Sequence, residues 1–428
     1  MTRSREKIAR VTSNWSGTYR FTAPRLVEAT TIDEVRAVIA ERGPVRALGT
    51  RHSFNDLADS AGTLVTVTGI PADPVLDEAS ASVTVGAGTR YGVLAAWLEQ
   101  RGWALHNLGS LPHISIAGAV ATGTHGSGNR NGALSTAVRA IEFVDANGEL
   151  VQARRGEPDF AGLVVGLGAY GVVVRVTLDI EPSFRVRQDI YRGMPWQAYL
   201  QQLDEVMGAA YSVSVFTDWL GPTIGQVWRK TRLSAEQHEV PDRWLDAVRD
   251  RHAAQALFAE VDGNLTQQGG EPGPWSERLP HFRLDSTPSN GDEIQTEYFV
   301  DRALGAQALG AVRVLAERIA PHLLITELRT VAADDLWLSG AYGRDTLAIH
   351  FTWRNEPDAV RALLPDLESA LADFDARPHW GKLNGIPPQT IARVTPRLAD
   401  ARELFERLDP AGTFSNAHLE RLGVRAPR

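Results

Sequence analysis

Cysteine is absent from the 428-residue chain. That excludes disulfides, thiolate catalysis, zinc–cysteine sites, iron–sulfur clusters and any cofactor link through sulfur. Lysine is nearly absent too. The 44 basic side chains include only three lysines, Lys7, Lys230 and Lys382, the rest being arginine. A lysine kept in such a chain points to a place that needs a compact point charge. No apolar run reaches the roughly 18 residues of a spanning helix, and no tract of basic residues stands out. The formal net charge of −8 disfavours nucleic acid or an anionic membrane as a partner. The opening stretch MTRSREKIARVTSNWSG lacks the apolar core of a signal peptide. The expectation is a cytoplasmic protein with no nucleic-acid and no membrane partner.

What is present is an ordinary globular composition, 43% hydrophobic and 22% charged, long enough for two or three domains. In TTIDEVRAVIAE, Thr31 precedes Glu34 at capping-box spacing, and Ile32, Val35, Val38 and Ile39 form one apolar stripe. Strands VRALG, GTLVTVTG and SVTVGAG follow, then the helix RYGVLAAWLEQRG, closed by Gly102. VRAIEFVDANGELV reads as a hairpin turning at Ala146-Asn147-Gly148, and GVVVRVTLDIEPSF as a last strand ended by Pro182. Beyond it the pattern changes. Helices are expected in RWLDAVRDRHAAQALFAEV, ALGAQALGAVRVLAERIA and DAVRALLPDLESALADF. Between them lie the strands SVSVFTDWL, EIQTEYFV, HLLITELRTV and TLAIHFTWR, and a Gly/Pro-rich loop, GGEPGPWSERLPHF. This predicts an α+β chain in three parts: residues 1–182, a domain 183–395 with an antiparallel sheet covered by helices, and a tail 396–428 read as a short helix and a turn.

Two stretches ask for a ligand. In VRALGTRHSF an apolar strand stops at Gly49 and presents His52 beside Arg51. In NLGSLPHISIAGAVATGTHGSGNRNG small residues crowd together, which lets backbone approach a ligand and lets successive N–H groups cradle a pyrophosphate. A nicotinamide fold does not account for them. GAGTRYG has the wrong glycine spacing, and no acidic residue follows at ribose distance. Nor does GTHGSG place Ser127 in a hydrolase elbow.

The turn with His52, the run GSLPHISIAGAVATGTHGSG and the closing GLGAYGVVVRVTL resemble the FAD-binding domain of the vanillyl-alcohol-oxidase flavoprotein superfamily. The later segments ELRTVAADDLWLSGAYGRDT, HFTW and RPHWGK resemble the alditol oxidase (xylitol/sorbitol oxidase) family, and the likeness runs through almost the whole chain. It implies FAD bonded covalently to His52, with Gly49, Thr50, Arg51 and Ser53 shaping the pyrophosphate turn. It also implies that Ser110, Ser115, Gly118, Thr122, Gly123 and His125 line the cofactor, that Val173 meets it by backbone, and that Gly109 leaves a path for dioxygen. Asn416 in the tail is expected to return to the first domain.

Alcohol oxidation also needs cations against a hydroxyl that must lose its proton. Glu327 and Arg329 are two apart in an apolar strand and so share a face, as do His350 and Thr352. Lys382 stands beside Trp380 and Gly381. Without the family, each has an ordinary reading as a structural ion pair, a core histidine and a surface charge. With it, Arg329 and Lys382 hold the reacting hydroxyl and His350 takes its proton. Glu327 then orients Arg329 and binds a further hydroxyl, and Ser110, Thr352 and Gln295 bind others. The implied activity is oxidation of the terminal alcohol of a polyol to the aldose with dioxygen giving hydrogen peroxide. The alternatives are a sugar-lactone oxidase or dehydrogenase of the same superfamily and a non-catalytic flavin- or sugar-binding protein.

Overall fold

The computed structural model describes residues 13–233, 240–251, 264–286 and 291–428. The expected first helix forms at Ile32–Ala40, with Thr31 accepting from the backbone of Glu34 at 3.2 Å. Glu34 reaches back one residue further than a capping box requires, accepting from the backbone N–H of Thr30 at 2.7 Å. The helix buries Val35, Val38 and Ile39 against Val65, Val144, Val172 and Val174. Those valines come from two sheets. One is parallel, ordered Arg25–Glu28, Thr63–Thr66, Val45–Ala47. The other has five antiparallel strands, centred on Val172–Asp179 between Ser82–Gly86 and Val138–Val144.

A further sheet is larger, with ten antiparallel strands. Its middle runs Gln226–Arg232, Ser212–Thr217, Leu323–Val331, Thr346–Arg354, Glu293–Asp301. Alternation gives each strand two faces. Leu328, Ile349 and Tyr298 are cross-strand partners on one face and pack with Leu309, Val312, Val360 and Leu367 of the helices Gly305–Arg313 and Pro357–Ala370. The opposite face, with Glu327, His350 and Glu297 in one cross-strand row, turns toward the first part of the chain.

Three sequence readings change. Arg185–Arg192 and Gln226–Arg232 are strands that the pattern did not announce. The helix expected over residues 243–261 begins instead as a hairpin, Arg243–Trp244 with Ala247–Asp250. Leu245 and Asp246 both have positive φ (47° and 65°), the backbone of a two-residue hairpin turn. The second strand pairs with Arg185–Arg192, and that edge outweighs the local helical pattern. Residues 252–261 of the expected helix lie outside the described residues. The tail holds two helices, Leu398–Leu408 and Ala417–Arg421, where one short helix was expected. Asn416 Nδ2 donates to the carbonyls of Asp56, Leu57 and Asp59 at 2.8–3.2 Å, tying the tail to the segment after His52.

Candidate active site

One continuous cavity runs between the two parts of the chain, from the His52 turn to the polar row of the large sheet. The turn follows from its backbone. Arg51 takes φ 66°, a left-handed conformation that costs a non-glycine residue about 1 kcal/mol. The backbone N–H of Trp15 donates to its carbonyl at 2.8 Å. Trp15 then stacks on the His52 ring, centroids 5.3 Å apart. Thr50 Oγ1 contacts His52 Nδ1 at 3.1 Å and accepts from the Ser115 backbone at 3.1 Å, joining both glycine-rich stretches. Gly49 lies tight against the second stretch: a Cβ there would stand 2.6 Å from Ser115 Oγ, which would have to turn away.

The same turn grips the loop that carries Lys382. Phe54 N donates to Gly381 O at 2.7 Å, and Asn55 Nδ2 to the carbonyls of Trp380 and Lys382 at 2.8 and 2.9 Å. The two motifs singled out in the sequence, more than 300 residues apart, are thus one hydrogen-bonded unit.

The charged centre is Glu297, 1% exposed. Its Oε2 accepts from Lys382 Nζ at 2.7 Å, and its Oε1 from Arg329 Nη2 at 2.8 Å, with His125 Nε2 3.2 Å away. Burial by itself would raise its pKa. The charges of Lys382, His125 and Arg329 override that and hold the carboxyl well below its ordinary range. Arg329 also extends Nη1 toward Ser110 Oγ and His125 O at 3.4 and 3.3 Å. Burial lowers its pKa, but Glu327 and Glu297 reverse the direction and hold it above the usual guanidinium value. Burial lowers that of Lys382, against the pull of Glu297.

Glu327 does not orient Arg329 by a close bond. The nearest approach, Oε1 to Nε, is 3.6 Å, whereas Oε1 meets His281 Nε2 at 2.7 Å. Arg329 makes its hydrogen bond to Glu297, while Glu327 acts on it as a looser ion pair. His350 sits between the two carboxylates, 7% exposed, with neither ring nitrogen hydrogen-bonded within the protein. Burial, then the charge of Lys382, holds its pKa well below that of a free imidazole, so the ring is neutral near pH 7.

Thr352 lines the cavity one step along the strand, and Gln295 lines it while donating to Glu293. Gly49, Thr50, Arg51, His52, Ser53, Gly109, Ser110, Ser115, Gly118, Thr122, His125 and Val173 also line it. Gly123 does not. With φ 68° it makes the left-handed turn after the helix Ile116–Ala121, ahead of Thr124 and His125. Sequence reasoning missed Glu297, His281 and His379, all of which line the cavity. For Glu297 a signal existed: it stands two residues from Gln295 and shares its face.

Residues 23–154 match the family described as FAD binding domain, and residues 290–422 match D-arabinono-1,4-lactone oxidase. The chain is 44% identical over 414 residues to the alditol oxidase of a Streptomyces species, covering 96% of this chain and 98% of that one. It is 30% identical over 434 residues to the L-gulono-1,4-lactone dehydrogenase of Mycobacterium tuberculosis, covering 96% and 98%. Among solved structures, cholesterol oxidase from B. sterolicum superposes with a TM-score of 0.76 at 16% identity, covering 97% of each chain. Xylooligosaccharide oxidase from Myceliophthora thermophila C1 gives 0.74 at 16% identity, covering 97% and 94%. Fold and sequence together make this an FAD-dependent oxidoreductase of the vanillyl-alcohol-oxidase superfamily. Within it the chain belongs to the alditol oxidase family.

The residues present fit that cofactor. His52 Nε2 and Ser115 Oγ are buried polar atoms with no partner in the protein, and both residues line the cavity. A Cβ at Gly118 would stand 2.9 Å from Ser115 Oγ, so the glycine keeps this wall open. Among the described residues, no helix is long and apolar enough to cross a membrane.

Proposed function

We propose that the protein oxidises the terminal primary alcohol of an alditol such as xylitol or sorbitol to the aldose. The C–H and O–H bonds break, a C=O bond forms, and the two electrons and two hydrogens pass to dioxygen, giving hydrogen peroxide. FAD, when bound, supplies the acceptor for the electrons and hydrogen leaving the carbon. Arg329 and Lys382 hold the hydroxyl oxygen and favour its loss of a proton. The neutral His350 accepts that proton. Glu327, Ser110 and Thr352 bind the remaining hydroxyls, so a substrate lacking one leaves a buried group unpaired. Gly109 leaves room for dioxygen.

The supporting observation is the meeting of Arg329, Lys382, Glu327, His350, Thr352 and Ser110 around the cavity that His52 enters. This reading includes a covalent bond from His52 to FAD, a division of the chain into 1–182, 183–395 and 396–428, and a cytoplasmic location. The match of residues 290–422 to a lactone oxidase family favours a second reading, oxidation of a sugar lactone. Anaerobic mixing with xylitol, and separately with a sugar lactone, separates the two. Bleaching of the flavin band by xylitol, with recovery and peroxide in air, is the expected result. Bleaching only by the lactone transfers the substrate assignment, and bleaching by neither removes it.

A further inference from the structure

Lys230 is the least expected charge in the molecule. It lies in the strand Gln226–Arg232, 1% exposed. Its Nζ has three neighbours: Leu279 O at 2.5 Å, Pro280 O at 3.4 Å and His281 Nδ1 at 3.0 Å. Burial lowers its pKa to about 7, against the pull of Glu327; in the charged form it is an ammonium, with three N–H donors and no acceptor. Two of the neighbours are carbonyls, which only accept. The third hydrogen therefore goes to His281 Nδ1, which must carry a lone pair. That leaves the ring proton on Nε2, where Glu327 Oε1 lies 2.7 Å away.

The surroundings leave few other options. His281 is 5% exposed and lies against the rings of Trp228 and Phe216, centroids 4.9 and 5.7 Å away. The charged groups that face it are Lys230, Glu327 and Arg329. Ser214 Oγ is 3.5 Å from Nε2, a weak contact. The ring is fixed from behind as well. The backbone N–H groups of His281 and Phe282 donate to Ser110 O at 3.1 and 3.2 Å, and Thr266 N donates to His281 O at 2.8 Å. An arginine fork does not converge on three acceptors as an ammonium does, which accounts for a lysine here in a chain that otherwise uses arginine.

We infer that Lys230 and His281 are positioning residues: Lys230 sets the tautomer of His281, and His281 in turn holds Glu327 as an ionised acceptor facing the cavity. In the other tautomer the Nε2 lone pair would confront the carboxylate. Glu327 would then rotate or take up a proton, and an acceptor for a substrate hydroxyl would be lost. This rests on the proposed role of Glu327 toward a polyol.

The test uses FAD-loaded protein with 15N-labelled histidine. Two-bond 1H–15N correlations report each tautomer, and His281 is assigned by the signals lost in His281→Gln. The expected result is an Nε2–H tautomer in the unmodified protein and a shift toward Nδ1–H in Lys230→Met. That variant should also raise KM for xylitol about tenfold or more and move the acid limb of the pH profile upward, with FAD content unchanged. His281→Gln, whose amide donates to Glu327 and accepts from Lys230, should keep most of the activity. An Nδ1–H tautomer in the unmodified protein overturns the inference even if no variant folds. So does an unchanged tautomer in folded Lys230→Met. If no polyol reduces the flavin, the substrate reading falls, while the tautomer still decides whether Lys230 governs His281.

Discussion

Lys382 reaches Glu297, 85 residues away in sequence, and donates to its Oε2 at 2.7 Å. The carboxylate thereby fixes one of the two cations proposed to hold the substrate hydroxyl, and its other oxygen fixes the second, Arg329. A buried pair of cations, each 13% or less exposed at the side chain, is stable because one carboxylate lies between them.

Replacing Lys382 with alanine removes a donor from the reacting oxygen. Losing one such transition-state contact costs about 3 kcal/mol. Anaerobic flavin reduction by xylitol should slow by two or more orders of magnitude with FAD content unchanged. Near-normal turnover would end the proposed role.

Glu297→Gln should be worse for stability than for binding of the cofactor. It leaves Arg329 and Lys382 buried without their counter-charge, and breaking a buried pair costs about 3–5 kcal/mol. Urea unfolding should show a lower midpoint with an unchanged slope. An unaltered midpoint would show that the cations do not depend on this carboxylate.

Acid should weaken the fold already below about pH 6.5. Burial first, and nearby Lys230 or Lys382 second, depress His281 to about 4 and His379 to about 3. Below the unfolded pKa the unfolded chain takes up protons that the folded chain refuses. Stability present above pH 6.5 is therefore lost as pH falls toward those folded values, by up to about 1.4 kcal/mol per pH unit for each group. Glu297 and Glu327, held below their usual range, add to the loss as pH falls through the carboxylate range and below. Urea midpoints at pH 7.5 and pH 5 test the sign, and equal midpoints contradict it.

His52→Ala should leave the cavity intact but free the flavin. Acid precipitation of the unmodified protein is expected to bring down yellow protein, and precipitation of the variant to leave the colour in solution. Colour in both supernatants would exclude the covalent bond.

Asn416→Ala removes donors to three carbonyls and the side-chain cap on the helix Ala417–Arg421. A loss of about 1–2 kcal/mol is expected in urea unfolding. An effect below a few tenths would show that the tail is held elsewhere.

Periodicity made much of this molecule legible. Alternation in LLITELRTV and LAIHFTWR put Glu327 with Arg329 and His350 with Thr352, and the register bears out those shared faces. The glycine turn at Gly49 and the oddity of Lys382 were visible for the same reason: local sterics and residue choice are written residue by residue. His281 was not visible. It lies in a Gly/Pro-rich stretch without period, and its meaning comes from Lys230 on a strand 51 residues earlier. The hairpin at Arg243–Asp250 was hidden because its stabilising neighbour is another strand.

The amino-acid order alone determined the absence of sulfur chemistry, the apolar faces, the turn that presents His52 and the types of residue available for chemistry. These depend on side-chain identity and on backbone preferences over a few residues. Only the tertiary structure decided which charge answers which. Coulomb attraction and desolvation depend on distance through space: Glu297 met Arg329 when three strands came into register, and the loops carrying Lys382 and His281 brought those groups to Glu297 and Glu327.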